Sequence, residues 1–294
     1  VSAGSASSAA ILRARAEAAA GALPPLILTR GPVAATVAPG GHGLRRAGTG
    51  EDFWQYRPAH EGDTARAIDW RRSARGDAQF VRDRERQTAR TAAIWIGRGA
   101  GMAYAGQGAA GETKQDRARL IGLSLALSML RGGERVSLLG RAPGGGNVQA
   151  GQLSLDLAGQ ALLPGDGDAP DPAMARPGQV VVLIDDFLVE TPLLAQFLGN
   201  LSGFGSTAVL LQLLHPDEEE FPFGGAVRFE TAGGLRHDTR DAEGLRMAYR
   251  ARLAARREDL SRMATQAGAL FGTHDLGRPA SEALIWLHGV LAAR

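Results

Sequence analysis

The sequence predicts an α/β protein: a doubly wound, mainly parallel sheet over residues 91–294, preceded by an irregular charged module at 31–90 and by a tail with one helix at 1–30. Three observations predict it. Short β-prone runs alternate with helix-period segments after residue 90, which implies right-handed βαβ units covered on both faces. Residues 180–184 are five consecutive apolar β-formers, the pattern of a central parallel strand. A chain of 294 residues that is 44% hydrophobic also has enough material for a sizeable core.

The elements follow in order. Residues 1–10 read as a frayed tail, and the alanine density of 10–22 predicts a helix that Gly21 and Pro24-Pro25 stop. Residues 29–50, with Gly40, Gly41, Gly43, Gly48 and Gly50, predict a loop. The stretch 51–90 is dense in charge and aromatics (Phe53, Trp54, Tyr56, Trp70, Phe80) and reads as irregular, with a strand at 79–82. Thr91–Ile96 is β-prone and leads into a glycine-rich loop ending at Gly111. In Lys114–Arg131, Leu120, Leu123, Leu127 and Leu130 recur at helical spacing, and Gly132-Gly133 end the helix. A strand at 135–139 and a short helix at 154–163 come next. After the 180–184 strand, Thr191 and Pro192 suit an N-cap and first turn for a helix reaching about Asn200. A buried strand at 208–214, an edge strand at 226–231 and a long amphipathic helix at 241–267 follow. A short extended piece at 272–275 and a helix at 281–293 capped by Ser281 complete the pattern. In such sheets ligands sit beyond the carboxyl ends of the strands, so the loops after Ile96, Leu139, Ile184 and Leu214 are the places to expect function.

Composition removes several function classes. There is no cysteine, hence no disulfide, thiolate metal site or thiol nucleophile. The pI near 9.5 looks basic, but 33 cationic side chains face 31 acidic ones. Lys114 is the only lysine; the other cations are arginines, which hardly titrate. Residues 44–90 hold eleven arginines beside eight carboxylates, a mixture that suggests ion pairs and not a nucleic-acid stripe, so no nucleic-acid partner is expected. No apolar run approaches the roughly 18 residues of a membrane span. Residues 1–20 also lack the apolar core of a secretory signal, so the expectation is a soluble, cytoplasmic protein.

The most informative constellation lies at residues 43–90: Gly43, Gly48 and Gly50, then Glu51-Asp52-Phe53, Tyr56-Arg57, Glu61-Gly62-Asp63, Arg66, Ile68-Asp69-Trp70, Ser73-Ala74-Arg75 and Val81-Arg82. This run resembles the signature of the bacterial family called domain of unknown function 58 (DUF58), whose members join such a segment to a von Willebrand factor A-like domain. Its core is Gly-Asp-x-x-Arg-x-Ile-Asp-Trp, and weaker similarity continues through Asp185-Asp186-Phe187, His215-Pro216-Asp217-Glu218, Tyr249 and Gly268. The resemblance spans roughly residues 40–290. It implies a von Willebrand factor A-like, Rossmann-type fold and partnership with a MoxR-type AAA+ ATPase in protein maturation or cofactor insertion, the client being unknown.

Physically, Asp63 and Asp69 with Arg57, Arg66 and Arg75 can form bidentate ion pairs, and Trp70 offers a broad apolar face with one N–H donor. One reading is a network that folds and docks a strand-poor segment. The sharper one is a surface for a partner protein, carried by Arg57, Asp63, Arg66, Asp69, Trp70 and Arg75; a phosphate site is a third.

The resemblance also marks a departure. Metal-binding von Willebrand A domains end their first strand in Asp-x-Ser-x-Ser, whereas the matching positions here are Gly97, Gly99 and Gly101, which carry no side-chain oxygen. Mg²⁺ requires oxygen ligands in near-octahedral geometry. Residues 140–150 contain no threonine, and Arg98 adds positive charge, leaving Asp185 and Asp186 as weak metal candidates whose plainer role is to cap the strand end. The glycine loop fails the dinucleotide fingerprint, because Met102 stands where a third glycine would be needed. No Gly-Lys-Ser/Thr, no Gly-x-Ser-x-Gly and no i,i+4 histidine pair is present, and His215 with residues 217–220 reads as a solvated loop. The sequence therefore favours a non-enzymatic protein–protein adaptor without catalytic residues, metal or cofactor; the alternative is a Mg-dependent binding or hydrolytic protein centred on Asp185 and Asp186.

Overall fold

The computed structural model describes residues 3–28, 47–58, 70–74, 80–85, 90–107, 111–160, 169–190, 192–230 and 236–293. The chain divides into two compact units, Ala34–Ala89 and the remainder, Val1–Val33 with Arg90–Arg294.

The larger unit opens with helix α1 (Ala3–Gly21). The helix begins seven residues before the sequence suggested, although four of residues 3–9 are serine or glycine, which favour helix less than alanine; Ala9, Ala16 and Ala20 are buried. The smaller unit contains strand β1 (Ala47–Pro58), a single helical turn α2 (Trp70–Ser73) and strand β2 (Phe80–Glu85). β1 and β2 pair antiparallel, with register shifts between Gly48 and Phe53 and between Phe53 and Gln55. The Phe80 N–H donates to Ser73 Oγ at 2.9 Å, tying α2 to β2. The module read as irregular thus holds a twelve-residue strand, whose glycines and acidic residues at 48–52 hid it from a propensity reading.

The larger unit continues with β3 (Thr91–Ile96), α3 (Lys114–Arg131), β4 (Arg135–Leu138), α4 (Gly146–Ala158), β5 (Gln179–Asp185), α5 (Pro192–Gly203) and β6 (Thr207–Leu214). It ends with α6 (Pro216–Glu220), β7 (Val227–Glu230), β8 (Arg236–Thr239), α7 (Ala242–Gln266), β9 (Leu270–Asp275) and α8 (Ala280–Ala292). The main sheet has five strands in the order β4-β3-β5-β6-β9, all parallel. It is a Rossmann-type doubly wound fold. Side-chain alternation on the central strands feeds two cores. Ile94, Val182, Ile184, Val209 and Leu211 face α1, α3, α4 and α8, while Ala93, Val181, Leu183, Ala208 and Leu210 face α5 and α7.

Four further placements differ from the sequence reading. α4 starts at Gly146, because Ala150, Leu153 and Leu157 form its buried face. The 226–231 strand joins no main-sheet edge; β7 pairs antiparallel with β8 in a separate ribbon. The short extended piece is a full strand, β9, on the sheet's edge. α8 starts after Pro279 without a side-chain cap, so Ser281 lies inside it. Thr191, expected to cap α5, lies outside the described residues.

Two close contacts set up tests. The Leu26 N–H donates to the Ser128 carbonyl, and the Leu26 carbonyl then faces Gly132 so closely that a Cβ there would overlap it. Gly199, within α5, has open space around it. Gly132→Ala should therefore destabilise by about 1–3 kcal/mol and Gly199→Ala stabilise by up to about 1 kcal/mol, opposite shifts readable in urea melts. His274, buried at the end of β9, lies 3.0 Å from Arg117 Nη1 through its Nε2. Because arginine only donates, the imidazole is a neutral acceptor. Burial, then the Arg117 charge, push its pKa down from 6.5 to about 4. The unfolded chain takes up this proton first, so stability should be complete above pH 6.5 and fall by on the order of 2–3 kcal/mol as pH drops toward 4. His274→Gln, which keeps an acceptor without titrating, should lose much less over that interval in urea melts.

Candidate functional site

Chain progress across the sheet reverses between β3 and β5, and the loops leaving their carboxyl ends frame the crevice where such folds ordinarily bind ligands. The Gly97 N–H donates to the Ile184 carbonyl at 2.9 Å, holding the first loop against β5. Gly99 then precedes a short 3₁₀ turn, Ala100–Ala103.

Lys114 fills this crevice. It is the first residue of α3, whose N-cap Thr113 accepts the Asp116 N–H. Its side chain is completely buried, and Nζ donates to Asp186 Oδ2 at 2.8 Å and to Glu218 Oε1 at 2.6 Å. The second oxygens of both acids are held by backbone: Asp186 Oδ1 accepts from Leu188 N–H at 3.1 Å, and Glu218 Oε2 from His215 N–H at 2.8 Å. The Tyr104 ring centroid stands 6.0 Å from Nζ. Burial works against the ammonium, yet Asp186 and Glu218 outweigh it and hold the Lys114 pKa above its ordinary value. Burial in turn pushes Glu218 up, opposed chiefly by Lys114.

Asp185 stands on the other side of the β5 terminus. Its Oδ2 accepts the Phe187 N–H at 3.2 Å, while Oδ1 is buried without a hydrogen-bond partner. Burial, then the Asp186 charge, push its pKa well above the ordinary carboxylate value, disfavouring the charged form. The glycines of the first loop make room for these acids: a Cβ at Gly97 would overlap Asp185 Oδ1, and one at Gly101 would overlap Asp186 Oδ2. Phe187 takes a left-handed conformation (φ 49°), uncommon for a bulky residue, and its carbonyl accepts from Arg256 Nε at 2.8 Å.

These residues do not fit a metal ion. Gly97, Gly99 and Gly101 offer no side-chain oxygens, and an ammonium already lies on Asp186. Among the described residues no group of three or more histidine, aspartate or glutamate side chains converges to hold one.

The surrounding loops are bound equally tightly. The His215 segment is a capping box on α6: His215 Nδ1 accepts the Asp217 N–H while Glu218 reaches back to the His215 N–H. Asp217 Oδ2 accepts from Tyr104 Oη at 3.1 Å and Gln107 N–H at 3.0 Å, and Tyr104 packs edge-on to His215. Glu219 pairs with Arg257, whose Nε also reaches Gln212 Oε1; Gln212 Nε2 donates to the Asp186 carbonyl. α7 thus fastens both strand-end loops, with Arg256 on the Phe187 and Val189 carbonyls, Arg250 on Glu220 and Arg246 on Phe221 and Phe223. The acidic run expected to be solvated is a hub of contacts, and no motif rule registers that.

Of the residues proposed for partner binding, Trp70 opens α2 and is 57% exposed. Arg57 lies on β1. Asp63, Arg66, Asp69 and Arg75 lie outside the described residues. Lys114 and Glu218 were missed as site residues. The available signal was a single lysine among 33 cationic side chains, set at a helix N-terminus where the helix dipole disfavours a cation.

The sequence model of a family described as protein of unknown function DUF58 matches residues 55–148, from β1 into the start of α4. No curated protein and no solved structure matches the chain.

Lys114→Met would keep the bulk and strand the buried Asp186 and the partly buried Glu218 carboxylates, so we expect a loss of about 3–5 kcal/mol in urea melts. Arg278→Ala, which removes an exposed pair with Glu282, should change stability by no more than about 0.5 kcal/mol.

Proposed function

We propose that this chain is a non-enzymatic adaptor, a von Willebrand factor A-like platform that binds other proteins. The observation that carries the reading is the filled crevice: where a doubly wound sheet ordinarily receives a small ligand, the chain's own Lys114, Asp186 and Glu218 occupy the space. A filled, hydrogen-bonded strand end leaves the outer surfaces of the loops and the charged module as the places to bind, and those suit protein partners. Similarity to DUF58 over residues 55–148 supports carrying over the partner that the resemblance implies, a MoxR-type AAA+ ATPase acting with this adaptor in protein maturation or cofactor insertion. A soluble cytoplasmic setting agrees with that partner, and among the described residues no helix is long and apolar enough to cross a membrane.

The contact surface in this reading is Arg57, Asp63, Arg66, Asp69, Trp70 and Arg75. Co-purification with a MoxR-type ATPase should succeed for the native chain and weaken at least tenfold for Arg66→Ala and Trp70→Ala, with thermal melts showing both variants folded. Absence of any association would overturn the reading; unchanged binding by both folded variants would overturn the assigned surface.

A further inference from the structure

The geometry points to Lys114 as a tethered cation: its ammonium permanently occupies the position at the β3/β5 switch point that a hydrated divalent ion would otherwise take between Asp186 and Glu218. This rests on the crevice alone and does not depend on the adaptor reading.

Four observations converge. First, Asp186 and Glu218 each give one oxygen to backbone N–H groups and turn the other toward a single point, where Nζ lies 2.8 and 2.6 Å away. Mg²⁺ usually keeps several of its waters and takes only one or two carboxylates from a protein. Second, the cation needs no entry from solvent, since the lysine is wholly buried and arrives on the first residue of α3. Helix formation does not account for it there, because a cation at that end opposes the helix dipole. Third, Asp185, beside Asp186, is 1% exposed and leaves Oδ1 without a partner, so the strand end has more acceptor capacity than the lysine satisfies. Fourth, the first loop supplies no side-chain oxygen at Gly97 and Gly101, where a Cβ would overlap the carboxylates of Asp185 and Asp186. The native strand end carries its own positive charge and should be indifferent to divalent metal.

Removing the lysine side chain should reverse this. Lys114→Ala opens space for a metal ion with its waters and leaves both carboxylates facing it. The native chain should melt at the same temperature in EDTA and in millimolar Mg²⁺ or Mn²⁺. Lys114→Ala should melt lower in EDTA and rise by several degrees with added metal, saturating with concentration and showing at least tenfold tighter binding than the native chain by calorimetric titration. Lys114→Met, which fills the space with an uncharged chain, should not respond, and Lys114→Ala combined with Asp186→Asn should lose the response. Equal stabilisation of native chain and Lys114→Ala would overturn the proposal, as would a metal response in Lys114→Met. So would a Lys114→Ala chain that gains nothing from metal, including one that stays unfolded in its presence.

Discussion

A fully buried ammonium is the constraint around which the strand ends are organised. Withdrawing such an ion from water costs several kcal/mol even after relaxation. Lys114 recovers this through two short charge-assisted hydrogen bonds, and each carboxylate is itself steadied by a backbone N–H. The pair is mutually obligatory, since either side alone would be an unpaired buried charge. It joins three elements distant in sequence: the start of α3, the loop after β5 and the short helix α6. The local geometry of each becomes a condition for the others. Phe187 keeps its left-handed backbone because the Asp185 carboxyl and Arg256 fix its N–H and carbonyl.

The parallel sheet makes this constraint possible. The strands β3, β5 and β6 are packed on both faces, so their register is fixed by two cores and their carboxyl ends are delivered to one place. Arginines from α7 then take up the carbonyls that irregular loops would otherwise leave unsatisfied. Arginine suits that work because its planar fork can serve two acceptors at once, as Arg256 does with Phe187 and Val189. The compact ammonium of lysine suits the crevice, where one nitrogen must meet two converging oxygens. The unequal use of the two residues, one lysine among 33 cationic side chains, has at least this local physical meaning.

The fold class was legible because burial writes itself into sequence. Residues 180–184 can hardly be anything but a central strand, and Leu120, Leu123 and Leu127 recur at helical spacing in α3, although that helix is buried on nearly every side. Elements stabilised by their neighbours were harder to read. β1 carries two glycines and two acidic residues within its first six positions, and its pairing with β2 contributes what propensity does not. β9 looked too short because Gly272 interrupts it, yet that glycine is required where the Trp286 ring comes within 2.5 Å of a would-be Cβ. At the site, Asp185 and Asp186 were visible as a strand-end pair, and Gly97, Gly99 and Gly101 as positions lacking oxygens. The ion that satisfies Asp186 was not, because Lys114 lies 72 residues from it and only the topology brings them together.

Rigidity at the strand ends bears on how the protein could act. Binding a partner costs the ordering of whatever was mobile beforehand, at roughly 0.5–1.5 kcal/mol for each flexible side chain immobilised. Around the crevice most of that ordering is already complete: Tyr104, Asp217, Glu218, Glu219 and the α7 arginines are mutually bonded within the chain itself. A partner meeting these loops would find a preorganised surface, and its affinity would depend on exposed groups such as Val189 and Leu193 beside the β5 loop. A metal-bridged platform can leave one coordination position for a partner's carboxylate. A lysine-filled one cannot, because its ammonium has no access to solvent. On the adaptor reading, recognition at this strand end would proceed through the outer surfaces of the loops, with the buried charge setting their shape without touching the partner.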